Sequence, residues 1–315
     1  MEFIGQKSLV EDFKDKIQHQ VVGHAYALTG PVGMGKKALA THLAKMLLCE
    51  GGKDQLPCDR CIACKSFDPE GTPRLTIVKN ETQKILIKQI RGLIEDIGIR
   101  PSTGRKVYLI QEADRMTADA QNCLLKTLEE PPPYAVILLT TASYESLLLT
   151  IRSRVVQFKM KPYSEEELES IFKQKGIALK GKEHLLAWCQ GIPGKALTLI
   201  NDDGFAENRE KVFQFIFNET DFSNLEFNQY LSKRKEAFLP CLDIMETVYR
   251  DALLVLFHKV DGLINSDKQD KIITYVQSTN PMVLTQKIEF IQEMRNNLKR
   301  NMNYQLAVDR MTLSI

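Results

Sequence analysis

The segment Gly30-Pro-Val-Gly-Met-Gly-Lys36 constrains this chain most, because it fits the pattern G-x-x-x-x-G-K of a phosphate-binding loop. An apolar run, Ala25–Thr29, comes directly before the segment, and a helical pattern, Lys37–Leu48, follows it. In such a loop the glycines let backbone N–H groups turn toward phosphate, and the lysine reaches the terminal phosphates. The segment therefore predicts a strand–loop–helix unit at a nucleotide-binding site. Its candidate binding residues are Gly30, Gly33, Gly35 and Lys36.

Residues 1–162 alternate short apolar runs with helical patterns, which is typical of a parallel sheet covered by helices. The runs are short and mostly apolar, as expected for strands that are buried on both faces. The predicted strands are Ala25–Thr29, Leu75–Val78, Val107–Ile110, Ala135–Thr140 and Val155–Phe158. The helices predicted between them include Lys37–Leu48, Ile85–Ile97 and Ala118–Leu128. We therefore predict an α/β domain with a P-loop over residues 1–162.

The pattern becomes helical after Pro162. Ser164 followed by Glu167 is a capping box and predicts a helix over Glu165–Gln174. Two more helices are predicted, at Lys182–Cys189 and at Lys195–Asn201. Together these helices predict a small helical domain over residues 163–205.

From residue 206 onward, apolar residues recur at steps of three and four, which predicts amphipathic helices. Residues 206–315 are therefore predicted to form an all-α domain. Three aromatic residues of this domain, Phe213, Phe215 and Phe217, fit either its core or an interface with another chain. The sequence does not decide between the two.

The two side chains that hold magnesium in a hydrolysing P-loop protein are replaced here. The residue after the P-loop lysine is normally Ser or Thr, whose hydroxyl binds Mg²⁺, but here it is Lys37. The apolar run Val107–Ile110 ends where a metal-binding Asp is expected, and that position holds Gln111. Glu112, in the position that polarises the attacking water, is present. We therefore expect neither bound magnesium nor intrinsic ATPase activity, and the loop is either an empty connector or a residual nucleotide site.

Composition excludes some classes of protein. The chain is 43% hydrophobic and 26% charged, as is ordinary for a globular protein, and its net charge of +2 gives no bulk basicity for nucleic acid. No apolar run approaches the ~20 residues that cross a bilayer, and the first residues lack the apolar core of a signal peptide. We therefore expect a cytoplasmic protein with reduced cysteines and no membrane partner.

Four of the seven cysteines, Cys49, Cys58, Cys61 and Cys64, form the pattern C-x8-C-x2-C-x2-C. Four thiolates this close together suit one tetrahedral zinc ion, which would stabilise a polar insertion over residues 49–64. An iron–sulfur site of the ferredoxin type would need another Cys soon after Cys64, and Ser66-Phe67-Asp68 does not supply it. The pattern therefore predicts structural zinc with no open coordination position.

Beyond the P-loop and the cysteine insertion, further motifs resemble the AAA+ subunits of bacterial clamp loaders along the whole chain. These motifs are Ile4-Gly5-Gln6, His24-Ala25-Tyr26, Gln111–Met116, Cys123–Pro132, Ile151-Arg152-Ser153-Arg154, Gly191–Leu197 and Asn301–Ala307. The resemblance implies a AAA+ domain, a helical lid and a helical collar over the three predicted domains. Within that family the gamma/tau subunits keep the magnesium-binding residues, whereas the delta-prime subunits tend to lose them. Lys37 and Gln111 therefore favour a delta-prime type.

The resemblance also implies partners and a role for Arg154. In this family the Ser-Arg pair lies at the edge of the subunit, and the arginine is similar to a finger that reaches the neighbour's ATP. The implied assembly is a hetero-pentameric ring with gamma/tau and delta subunits, which loads a sliding clamp onto primer-template DNA. A surface salt bridge is the alternative role for Arg154.

Two other functions are open. The first is an active gamma/tau-like ATPase, against which Lys37 and Gln111 speak. The second is a zinc-dependent nucleic-acid-binding protein. The near-neutral net charge and the lack of interleaved basic and aromatic clusters speak against that class.

Overall fold

The chain divides into two compact units. The structure is a computed structural model that describes residues 3–52, 55–80, 83–177, 184–200, 202–217, 223–260, 262–299 and 302–314. The first unit comprises Met1–Gly176 and Gly191–Gly194, and the second comprises Ile177–Gln190 and Lys195–Ile315. The predicted three-domain division, with boundaries after residues 162 and 205, stays a prediction.

The first unit contains a five-stranded parallel sheet in the order β2-β3-β4-β1-β5. Its strands are β1 (Ala25–Thr29), β2 (Leu75–Val78), β3 (Lys106–Ile110), β4 (Ala135–Thr141) and β5 (Val156–Lys159). Its helices are α1 (Lys7–Gln18), α2 (Lys36–Leu48), α3 (Ile62–Lys65), α4 (Ile87–Ile97), α5 (Ala118–Glu129), α6 (Leu149–Arg152) and α7 (Glu165–Gln174). The predicted α/β class with a parallel sheet is confirmed.

Burial explains why these strands read as apolar runs. Every residue of the three inner strands β1, β3 and β4 is buried, whereas the edge strands β2 and β5 have exposed or half-buried positions. Helix α2 packs against β1, β3 and β4, and helices α4 and α5 pack against each other. Because the inner strands are covered on both faces, their sequences show no polar alternation.

The regular elements of the second unit are all helices in the part of the chain that the structure describes. Its helices are α8 (His184–Trp188), α9 (Pro193–Ile200, which begins in the first unit), α10 (Asp203–Ile216), α11 (Ser223–Lys233), α12 (Phe238–Leu256), α13 (Gln269–Val276), α14 (Pro281–Lys299) and α15 (Tyr304–Ser314). Phe213 and Phe215 are buried in its core, and Phe217 is partly buried and stacks on Phe213 with ring centroids 5.7 Å apart. The three aromatic residues therefore belong to the core of this unit.

The predicted element bounds are close to the observed ones. Each predicted strand agrees with its observed strand within one residue at either end, and helix Glu165–Gln174 agrees at both ends. Of the predicted helix Lys182–Cys189, the structure describes His184–Trp188 as helix, and residues 182 and 183 lie outside the described residues. Across the described parts of the chain, no helix combines the length and apolar composition needed to cross a bilayer.

Candidate functional site

The predicted phosphate-binding loop lies between β1, which ends at Thr29, and α2, which begins at Lys36. Gly33 and Gly35 have φ angles of 82° and 89°. These angles lie in the left-handed region, which glycine adopts at little cost and most other residues avoid. The loop conformation therefore depends on the glycines that the motif supplies.

Gln111 and Glu112 lie at the same edge of the sheet as this loop. They follow the carboxyl end of β3, and β3 is separated from β1 only by β4. Carboxyl ends of parallel strands meet at one edge, where open α/β sheets form their ligand crevices. A cavity of about 350 Å³ opens there. It is lined by Val32, Gly33, Gly35, Lys36, Lys37, Gln111, Glu112, Asp114, Arg115, Thr140 and Ala142.

The Lys36 ammonium is held by its own loop. Its Nζ donates to the carbonyl oxygens of Gly30 and Pro31 at 2.7 and 2.8 Å. Burial lowers the pKa of Lys36 below its ordinary value, and the charges of Asp114 and Glu112 oppose that shift. A phosphate oxygen at this position would replace contacts with neutral carbonyl oxygens by contacts between opposite charges.

Lys37 and Gln111, at the two positions where the sequence predicts that magnesium-binding residues are replaced, both carry hydrogen-bond donors. Lys37 is exposed on the cavity wall, as the second residue of α2. The Gln111 Nε2 atom is buried and has no hydrogen-bond partner among the described residues. Lys37 has no acceptor for a metal ion, and Gln111 has a neutral amide, with one oxygen acceptor and one nitrogen donor, in place of a charged carboxylate.

Glu112 is fixed by two partners. Its Oε2 accepts a hydrogen bond from Asn80 Nδ2 at 3.0 Å and forms an ion pair with Arg115 Nε at 2.9 Å. Its φ of 52° is unusual for a residue other than glycine, Asn or Asp, and such strain is typical of functional sites. Sequence reasoning missed Asn80, which could have been found because it follows the strand next to β3.

The segment Gly191–Gly194 contacts the loop directly. The Gly194 N–H donates to the Gly33 carbonyl at 2.8 Å, and the Tyr163 N–H donates to the Gly191 carbonyl at 3.0 Å. A Cβ atom added to Gly194 would lie 2.5 Å from the Gly33 Cα atom, which is backbone and cannot rotate away. Gly194 belongs to the motif Gly191–Leu197, but the local sequence gives no sign of its contact with Gly33.

Arg154 lies at the amino ends of the strands, whereas the phosphate loop of the same chain lies at their carboxyl ends. It precedes β5, whose residue Val156 pairs with Tyr26 near the amino end of β1. Along β1, Tyr26 and Gly30 are four residues apart, which corresponds to roughly 13 Å in an extended strand. The Arg154 Nη2 forms an ion pair with Glu129 at 2.8 Å, and Nη1 donates to the Thr150 carbonyl at 2.8 Å.

The four predicted metal ligands come together. The sulfur atoms of Cys49, Cys58, Cys61 and Cys64 all lie within 4.8 Å of one another, and Cys58 Sγ is 3.9 Å from Cys64 Sγ. A tetrahedral zinc ion with Zn–S bonds of ~2.3 Å needs sulfur atoms about 3.8 Å apart. The donor set therefore fits one zinc ion.

Backbone N–H groups support this cysteine cluster. Cys61 N–H donates to Cys58 Sγ at 3.3 Å, and Cys64 N–H donates to Cys61 Sγ at 3.4 Å. Hydrogen bonds from the backbone of Arg60 and Cys61 lower the pKa of Cys58 to about 6. A thiolate is the form that binds metal, so the backbone prepares this ligand.

Comparisons with known proteins match DNA polymerase III subunits in both halves of the chain. A family model described as "DNA polymerase III, delta subunit" matches residues 5–164, and one described as "DNA polymerase III, delta subunit, C terminal" matches residues 203–315. The DNA polymerase III subunit delta' of Bacillus subtilis is 30% identical over 312 residues, which cover 96% of this chain and 93% of that protein. The chain belongs to the delta-prime family of DNA polymerase III subunits.

Two further relatives match part of this delta-prime chain. The subunit delta' of Pseudomonas aeruginosa is 37% identical over 48% of this chain and 46% of its own length. The subunit gamma of Buchnera aphidicola (subsp. Schizaphis graminum) is 36% identical over 54% of this chain and 47% of its own length. The matched segment therefore spans about half the length of each of these two relatives.

Replacing Gly194 by alanine should destabilise the first unit of this delta-prime chain. The added methyl group must displace the backbone at Gly33, and we expect a loss of about 1–3 kcal/mol in the free energy of unfolding. Gly92→Ala is the matched control, because a Cβ atom at Gly92 in α4 meets nothing within 4 Å. Chemical unfolding should show that control unchanged or slightly more stable. Equal stability of the two variants would contradict the close approach of Gly194 to the loop.

Proposed function

We propose that this chain is a catalytically degenerate AAA+ subunit of the DNA polymerase III clamp loader, which supports loading of the sliding clamp onto primed DNA. Its own pocket does not hydrolyse ATP, and Arg154 acts on the ATP of a neighbouring subunit. The observation that carries this proposal is the replacement of both magnesium-binding side chains, by Lys37 and Gln111, in one cavity. Membership of the delta-prime family supports it.

Loss of the metal is the physical reason for the loss of hydrolysis. Magnesium bridges the phosphates and neutralises charge that develops on the transferred phosphoryl group. Lys37 lies on the wall of the cavity, and its ammonium cannot coordinate the ion and repels it. Glu112 would orient water, but it is bound to Asn80 and Arg115. The lysines that remain in the cavity favour binding of phosphate over transfer of a phosphoryl group.

The position of Arg154 supports the proposed role in trans. Its guanidinium lies at the amino edge of the sheet, whereas its own phosphate loop lies at the carboxyl edge. Arg154 is about one-third exposed, so a second chain can reach it. Guanidinium groups remain charged and fork to phosphate oxygens, which is the chemistry of an arginine finger.

The assembly belongs to the same proposal. Relatives named as DNA polymerase III subunits gamma, tau and delta' match this chain. We propose a hetero-pentameric ring with gamma/tau and delta subunits in the cytoplasm, which contacts the sliding clamp and primer-template DNA as a complex. The helical second unit would serve as the collar that joins the subunits.

Structural zinc completes the proposal. Four cysteine sulfur atoms at tetrahedral spacing leave no position for substrate or water, so the ion would stabilise residues 49–64 rather than catalyse. Gly51 leaves room for the cysteine cluster, because a Cβ atom at this position would lie 2.4 Å from Cys58 Sγ.

The isolated chain should not hydrolyse ATP above background when Mg²⁺ is present. The measurement is phosphate release from the purified chain, compared with Lys36→Ala. Turnover that disappears in Lys36→Ala would identify an active gamma/tau-like site and refute the degenerate one.

Arg154→Ala should leave assembly intact and lower the ATPase activity of the reconstituted complex. Turnover at the adjoining site should fall by roughly 10³-fold, and total turnover by less, because other sites keep their own arginines. Arg91→Ala, at an exposed position on α4, is the matched control. Unchanged clamp-stimulated ATPase activity in a correctly assembled Arg154→Ala complex would exclude the finger role.

The purified chain should contain about one zinc ion, and Cys58→Ser should reduce the zinc content and lower the temperature of unfolding. Elemental analysis and thermal unfolding measure the two effects. Cys123→Ser is the control, since Cys123 is half-buried outside the cluster. Less than about half an equivalent of zinc in the carefully purified wild-type chain would count against the site.

A further inference from the structure

The cavity beside the phosphate loop presents donors where a nucleotide's magnesium would lie. Lys36 and Lys37 contribute two ammonium groups, and α2 begins at the loop with its N-terminal N–H groups. Ammonium groups and free backbone N–H groups attract anions and offer no lone pair to a cation. The donor set therefore matches a chain of phosphates and does not match a phosphate–metal pair.

Gln111 lines the cavity and carries an amide donor. Its Nε2 atom is buried and has no hydrogen-bond acceptor among the described residues. A buried donor without a partner is destabilising, and a hydrogen bond to a phosphate oxygen in the cavity would remove that cost. An Asp in this position would instead repel phosphate unless a metal ion lay between them.

The acidic groups of the cavity are already engaged. Glu112 is bound to Asn80 at 3.0 Å and paired with Arg115 at 2.9 Å. Asp114 Oδ1 accepts the Ala142 N–H at 3.1 Å. Arg115 offsets the charge of Glu112, and the two lysines outnumber the remaining carboxylate of Asp114, so that a phosphate chain would meet a net positive field.

From this arrangement we propose that the pocket binds the polyphosphate of a nucleoside di- or triphosphate without magnesium, with the Lys37 ammonium in place of the metal ion. The Lys36 ammonium leaves the Gly30 and Pro31 carbonyls to contact the phosphates, and the Gln111 amide donates to a phosphate oxygen. The inference rests on the proposed loss of hydrolysis. Bound triphosphate would therefore remain uncleaved and act as a structural ligand of the loop.

Calorimetric titration of the full chain with ATP, in EDTA and separately with excess Mg²⁺, tests the proposal. We expect binding in EDTA that is as tight as binding with Mg²⁺, or tighter. Inorganic tripolyphosphate should compete with ATP, because the phosphates carry the recognition. Lys37→Thr should weaken binding in EDTA by about tenfold or more and make binding improve when Mg²⁺ is added.

Lys88→Thr is the matched control, because Lys88 is also an exposed lysine at the second position of a helix, in α4. This control should bind ATP as the wild-type chain does. Wild-type binding that requires Mg²⁺, no binding in either buffer, or ATP binding with which tripolyphosphate does not compete would each overturn the proposal. Phosphate release is measured in the same samples, because hydrolysis would refute the proposed function itself.

Discussion

The parallel pairing of β4 between β1 and β3 is the constraint on which the candidate site depends. Backbone hydrogen bonds fix Tyr26 opposite Leu138 and Leu138 opposite Leu109. The phosphate loop and Gln111 consequently emerge at one edge, about two strand spacings or roughly 10 Å apart. Every residue of these three strands is buried, so that slippage of the register would expose apolar side chains or misplace the site.

The same constraint explains what the sequence could predict. Strands buried on both faces have a simple apolar pattern, and their bounds were predicted within one residue. The phosphate-loop residues and the four cysteines are close in sequence, so their spacing carried the information. Asn80 beside Glu112, and Gly194 beside Gly33, are contacts between distant segments. No local pattern encodes such contacts, because they depend on strand order and on how the chain returns to the loop.

The charge of the cavity accounts for both of its proposed properties, which are phosphate binding without magnesium and the loss of ATP hydrolysis. A metal ion neutralises phosphate strongly and also stabilises the transition state, whereas an ammonium group neutralises it without bridging the oxygen atoms. Replacing Ser or Thr by Lys37 therefore separates affinity for phosphate from catalysis. Gln111 acts in the same direction, because it removes the negative charge that would otherwise attract the ion. A pocket of this chemistry suits a subunit that is proposed to leave ATP hydrolysis to its neighbours.

The ion pair between Arg154 and Glu129 decides how readily the proposed finger can leave its resting position. The two side chains are about one-third and one-half exposed, and pairs of that kind contribute about 0–1 kcal/mol. A forked contact with phosphate in a closed interface is stronger, because both partners are charged and water is excluded. Glu129 therefore orients Arg154 in the free chain, and the ion pair costs little to break when the guanidinium moves to a neighbour's phosphate. The Thr150 carbonyl, which accepts from Nη1 at 2.8 Å, can keep one side of the guanidinium group in place while Nη2 changes partner.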